Sequence, residues 1–156
     1  MNREYSLSKN SQAKVDTCAP IIKSVVARAM EIANTRKLHC PDWGVSSGKR
    51  TTDEQFNMYR KGRSMVIKDK GSSEYAVVDP FKVITNADGY AKKSAHQTGL
   101  AIDIYCYVDG QTNYDFDNLA AVATCLFAAA CELGVHLVWG GNWNSLTDAP
   151  HFEVKL

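Results

Sequence analysis

Three residues have the side-chain chemistry to hold a metal ion between them. His96, Asp103 and His151 are two imidazoles and a carboxylate. These are the donor types of a catalytic zinc site, which keeps three protein ligands and leaves its fourth position for water or substrate. Water activated at such a site becomes a nucleophile near neutral pH, and a base is needed beside it. Asp148, three residues before His151 with Pro150 between them, is the candidate base. The other reading of Asp148 is a cap on the turn before the proline, a place Asp often fills. Spacing by itself does not single this set out, since His and Asp spread over 55 positions are common.

These side chains need rigid elements behind them. In residues 100–107, Leu100, Ile102, Ile104 and Cys106 alternate with Ala101, Asp103 and Tyr105. In residues 151–156, Phe152, Val154 and Leu156 alternate with His151, Glu153 and Lys155. Side chains alternate across a strand, so each segment has an apolar core face and a polar face able to line a cleft. His96 lies seven residues before Asp103, across a turn at Gly99. Glu153 shares the histidine's face and is either an acceptor for the outer N–H of a ligating histidine or a solvated strand charge. Arg50 has Asp53 and Glu54 close behind it in sequence, and from the residues alone it reads as pairing with one of them at the surface. Trp139 and Trp143 read as cleft wall or core packing rather than a sugar platform, and His39 and His136 fit no ligand pattern.

The remaining elements follow from periodicity and punctuation. Ser11 can cap a helix over 12–37, with Pro20 marking a start or a kink inside it. Residues 43–46 form a short strand. Thr52 and Gln55 have capping-box spacing and open a short helix that Gly62 ends. Residues 63–93, rich in Gly, Ser, Lys and Asp, read as a long excursion of the kind that often carries function. Asp117 caps a helix over 118–133, which Gly134 stops, and 135–139 is a strand followed by a Gly140-Gly141 turn. The expected class is α+β: a small single domain over 1–156, an antiparallel sheet with flanking helices.

Composition narrows the function classes. The 156 residues carry 18 Lys and Arg against 17 Asp and Glu, a formal charge of +1, and are 45% hydrophobic. No clustered basic excess points to nucleic acid, and the ordinary hydrophobic content disfavours disorder. Nothing at the N-terminus resembles a signal peptide. The longest apolar stretch, 119–131, is too short for a bilayer and predicts a core helix without stable membrane insertion. Five cysteines at unpatterned spacing read as reduced, structural thiols.

Residues 94–103, SAHQTGLAID, match the pattern SxHxxGxAxD in full, and DAPHFE at 148–153 supplies an acid three residues before a histidine. Both resemble the zinc metallopeptidases that group D-alanyl-D-alanine carboxypeptidases and dipeptidases with the hedgehog domain. SGKRT at 47–51 followed by Glu54 and Gln55, KGR at 61–63, and WGGNW at 139–143 resemble, more narrowly, the phage L-alanyl-D-glutamate peptidase endolysins. The likeness runs in order from about Val45 onward, over more than two-thirds of the chain. Lys49 departs from it, standing where an aromatic residue is common before the arginine.

The resemblance implies a hedgehog/D-Ala-D-Ala-peptidase-like fold and one catalytic Zn2+ held by His96, Asp103 and His151. It also implies Asp148 as general base, Arg50 as the cation facing substrate or oxyanion, and Ser94 and Gln55 in substrate or supporting hydrogen bonds. Asp148, where the carboxypeptidases usually have Glu, leans the chain toward the endolysins. The implied activity is cleavage of the L-Ala–D-Glu bond of the peptidoglycan stem peptide during host cell lysis. The rival readings are a D,D-carboxypeptidase trimming terminal D-Ala and a non-catalytic, zinc-containing binding module. The implied setting is synthesis in the host cytoplasm and action on the wall in the periplasm, with a pore-forming holin for export. A monomer without a separate cell-wall-binding domain is expected.

Overall fold

A computed structural model describes residues 4–35, 39–68 and 71–156. Helices α1 (Lys9–Asp16) and α2 (Pro20–Thr35) precede strand β1 (Asp42–Ser47) and helix α3 (Thr52–Tyr59). A hairpin of β2 (Arg63–Ile67) and β3 (Ser73–Val77) follows. Strands β4 (Ala101–Val108) and β5 (Gln111–Asn113), helix α4 (Phe116–Leu133), and strands β6 (His136–Trp139) and β7 (His151–Lys155) complete the order. The main sheet runs β1-β4-β7-β6, with β5 paired to β4, and all its pairings are antiparallel. The expected α+β class with an antiparallel sheet and flanking helices is the class observed.

One side of the sheet closes the core. Ile102, Ile104 and Cys106 of β4 and Phe152 and Val154 of β7 are buried with the apolar faces of α2 and α4. α4 spans 18 residues and is apolar enough to cross a membrane by length and composition. Here one face of it packs into the core, with Leu119, Val122 and Leu126 fully buried.

The single helix expected over 12–37 is two. Proline lacks an N–H and its ring fixes φ, which suits a first helical turn and not an interior one, so Pro20 opens α2. The expected end at residue 37 lies outside the described residues. Ser8, not Ser11, caps α1. Ser11 is buried instead and accepts a hydrogen bond from the Val45 N–H at 3.0 Å, tying α1 to β1.

The capping box of α3 is Thr51 with Glu54, one residue earlier than the Thr52–Gln55 pair expected. The excursion at 63–93 contains the β2–β3 hairpin, held to α3 by Phe56 edge-on to Tyr75 at 5.4 Å. β5 was not expected, and α4 starts at Phe116 rather than after Asp117.

Candidate active site

The register of the sheet brings the candidate donors together. Asp103 on β4 lies directly opposite His151 on β7. Directly opposed residues on neighbouring antiparallel strands point the same way, with Cβ atoms about 4.5–5.5 Å apart. His96 arrives from a short 3-10 helix, Ala95–Thr98, which stops at Gly99 with φ 73°, a left-handed value that glycine adopts freely. An added Cβ there would stand 3.0 Å from the Ala19 nitrogen, so the turn is tight as well as left-handed.

His96 Nε2, His151 Nδ1 and Asp103 Oδ1 are mutually 3.2 Å apart. Zinc bonds to N and O of 2.0–2.2 Å imply tetrahedral edges of about 3.3–3.6 Å, so the triangle is close to the size a zinc ion needs. The other ring nitrogens are anchored. His96 Nδ1–H donates to the Gly48 carbonyl at 2.8 Å, and His151 Nε2–H donates to Glu153 Oε2 at 3.0 Å. These bonds put a proton on each outer nitrogen, so a bound cation that displaces any inner proton would find two lone pairs beside Asp103. With the inner nitrogens deprotonated the three atoms are converging acceptors, and a divalent ion is the chemical complement of that set.

The electrostatics agree. Burial alone would raise the Asp103 carboxyl, but hydrogen bonds from His151 and His96 hold it well below the usual range. Burial would lower His151, yet Asp103 and Glu153 push it up to about 9. In the metal-free protein a proton on His151 thus supplies the missing positive charge. Glu153, held by His151 and by Lys155, is lowered to about 2. It is an acceptor behind the histidine, not a solvated strand charge.

Asp148 stands at the edge of the same cleft. Its N–H donates to the Gly140 carbonyl at 2.9 Å, and its carbonyl accepts from the His151 N–H at 3.0 Å. Burial raises its carboxyl, and so does the charge of Asp103. Trp143 packs on His151 with ring centroids 5.1 Å apart, and the Trp139 indole N–H donates to the Ala149 carbonyl at 2.6 Å. Both tryptophans therefore brace the 140–150 loop.

Arg50 pairs with Asp103, not with Asp53 or Glu54. Its Nε donates to Ser47 Oγ at 3.0 Å and its Nη1 to Gln55 Oε1 at 3.3 Å, while its backbone N–H bonds the His96 carbonyl at 3.0 Å. Three of the five guanidinium donors are thus engaged, leaving two for the cleft. Ser94 lines the cleft, and its hydroxyl accepts the His96 N–H at 3.3 Å.

Gln55, implied in either substrate or supporting hydrogen bonds, takes the supporting place and not the substrate one. Its side chain is 0% exposed and does not line the cleft. It bonds Arg50 on one side and the Ala87 carbonyl, at 2.9 Å, on the other. The true register of the capping box explains this: Glu54 takes the exposed cap position, and Gln55 turns inward. Sequence reasoning missed the Gly48 carbonyl behind His96, because a backbone acceptor leaves no mark in residue types. The cleft, of about 750 Å³, is walled by residues 84–87 and 92–96 on one side and by the 143–150 segment on the other.

A family model described as phage L-alanyl-D-glutamate peptidase matches residues 3–155. The chain belongs to that family. It is 28% identical over 152 residues to the L-alanyl-D-glutamate peptidase of Escherichia phage T5, covering 97% of this chain and 90% of that protein. The crystal structure of the L-Ala D-Glu endopeptidase ChiX of Serratia marcescens superposes with a TM-score of 0.68 at 24% identity, covering 97% of this chain and 92% of that one. That likeness shows a shared fold. Within the phage L-alanyl-D-glutamate peptidase family, the cleft just described is where the search for catalytic groups belongs.

Proposed function

We propose that this member of the phage L-alanyl-D-glutamate peptidase family is a zinc-dependent peptidoglycan endopeptidase that hydrolyses the L-Ala–D-Glu bond of the stem peptide. The supporting observation is the triangle of His96, Asp103 and His151 donor atoms, mutually 3.2 Å apart, with Asp148 beside it in an open cleft. When bound, zinc supplies Lewis acidity: it brings the pKa of water near neutrality and polarises a carbonyl.

The chain's own residues supply the rest. Asp148 takes the proton from the attacking water and returns it to the departing amine nitrogen of D-Glu. Its partly buried carboxyl, raised by burial and by Asp103, is suited to both directions of transfer. The two free N–H donors of Arg50 face the oxyanion as the carbonyl becomes tetrahedral. Ser47 and Gln55 fix the guanidinium, so it need not reorganise during the reaction. Gly48 and Glu153 set the tautomers of His96 and His151 and keep their inner nitrogens free of protons once a cation is bound.

The test uses the Asp103→Ala and Asp148→Ala variants, each with metal analysis and a peptidoglycan digest. The first loses zinc and activity together. The second keeps one zinc per chain and loses activity. Retained stoichiometric zinc in Asp103→Ala, or near wild-type turnover in Asp148→Ala, would overturn the corresponding assignment.

A further inference from the structure

The charged groups lining the cleft pair off, with few left over. Arg50 is bound to Asp103, His151 to Asp103 and Glu153, and Lys155 to Glu153. Asp148 is left for proton transfer. Two lining cations, Lys92 and Lys93, have no carboxylate partner among the described residues.

They do not stand on a loose loop. The Lys92 N–H donates to Asp88 Oδ1 at 2.8 Å, and its carbonyl accepts from the Gly89 N–H at 3.0 Å. Gln97 reaches back to the Gly89 carbonyl at 2.9 Å and also accepts the Ser94 N–H at 2.9 Å. Arg63 holds the upstream end through the Thr85 carbonyl at 3.0 Å and Asn86 Oδ1 at 2.9 Å. The backbone carrying both lysines is thus fixed at the cleft wall, and Lys93 is three residues before His96.

The substrate has a matching group. Glutamate has two carboxyl groups, and when its amine is acylated by L-Ala only one of them can carry the stem onward. The other is a free anion on the residue that supplies the leaving amine. We infer that Lys92 and Lys93 bind this free D-Glu carboxylate and make the enzyme selective for an acidic residue on the amine side of the scissile bond. The inference rests on the L-Ala–D-Glu reading. A lysine ammonium suits the task as a mobile point charge at the end of a flexible stem, able to follow a carboxylate as it moves with the departing amine.

The experiment uses two stem peptides that differ only at this group, one with the free carboxylate and one with a carboxamide. Binding of each is measured to zinc-loaded Asp148→Asn protein, with and without Lys92→Gln and Lys93→Gln. A Lys23→Gln/Lys61→Gln control removes the same charge away from the cleft. The carboxylate peptide binds about three- to tenfold more tightly, the range that one or two partly exposed ion pairs supply. The preference vanishes in the Lys92/Lys93 variant and survives in the control. Equal binding of the two peptides, or a preference that the Lys92/Lys93 variant retains, overturns the inference. Cleavage of the same peptides by the wild-type enzyme tests the underlying reading separately: absence of any cut at L-Ala–D-Glu would sink that reading, whichever way the binding preference falls.

Discussion

Gly140 and Asp148 lie so close that a Cβ added to Gly140 would stand 2.3 Å from the Asp148 carbonyl oxygen and 3.2 Å from its Cβ. Gly140 has no left-handed backbone to excuse a glycine. What it supplies is room, so that the loop can fold back and aim Asp148 at the cleft. Gly140→Ala therefore displaces Asp148 first, since the three atoms nearest the added Cβ are all its own. It strains the His151 N–H bond to that carbonyl without reaching the metal-donor atoms. Expected are zinc stoichiometry near one and a kcat at least about tenfold lower, since small misplacements of a catalytic group are costly. Metal analysis beside steady-state kinetics checks this, and unchanged kcat would show that Asp148 is not positioned by the contact.

As the proposed base, Asp148 is expected to set the acid limb of the rate profile. Its carboxyl is raised by burial and by Asp103, and a base works only when deprotonated. The rate thus rises with pH through a midpoint above the ordinary carboxylate value of about 4. Asp148→Asn lowers kcat by about 10²–10⁴ and removes that limb. The pH dependence of kcat for both proteins, over the range where zinc stays bound, decides the point.

Glu153 acts through His151. Glu153→Gln leaves the histidine without its anionic acceptor and weakens zinc binding about 10- to 100-fold. Competition against a chelator of known affinity measures this. The same carboxylate contributes to acid stability in the metal-free protein. Its pKa is about 2 folded, against about 4.3 unfolded, so its contribution is present above the unfolded value and lost as pH falls through the folded one. Urea titrations of metal-free protein between pH 6 and pH 2 should show Glu153→Gln losing less stability than wild type over that window.

The architecture was largely legible because it rests on local signals. Alternation over 100–107 and 151–156 placed Asp103 and His151 on the correct faces, and the motif at 94–103 marked His96. Where the reading failed, tertiary contacts decided. Ser11 reads as a cap in sequence but is taken by the Val45 N–H. Thr51 and Thr52 both offer a hydroxyl, and the choice between them decides whether Gln55 faces the substrate or the core. The β2–β3 hairpin hid in a polar stretch, though Met65–Ile67 and Tyr75–Val77 carry its β-prone residues on either side of Gly71. Arg50's partner, 53 residues away, had no local signature at all.

Metal uptake should be coupled to proton release. His151 is pushed up to about 9 in the metal-free chain, so at neutral pH it carries a proton that a metal must displace. Apparent zinc affinity therefore falls by about tenfold per pH unit as pH drops below that value. Titration calorimetry in buffers of differing ionisation heat should count about one proton released at pH 7. No release would mean that His151 is already neutral.

The most direct test of the whole account is mass spectrometry of purified peptidoglycan digested by the enzyme, before and after chelation and after zinc is restored. The account predicts new L-alanine C-termini and D-glutamate N-termini that vanish with chelator and return with zinc. Release of free D-alanine without those termini, or cutting at L-Ala–D-Glu that is indifferent to chelation, would contradict it.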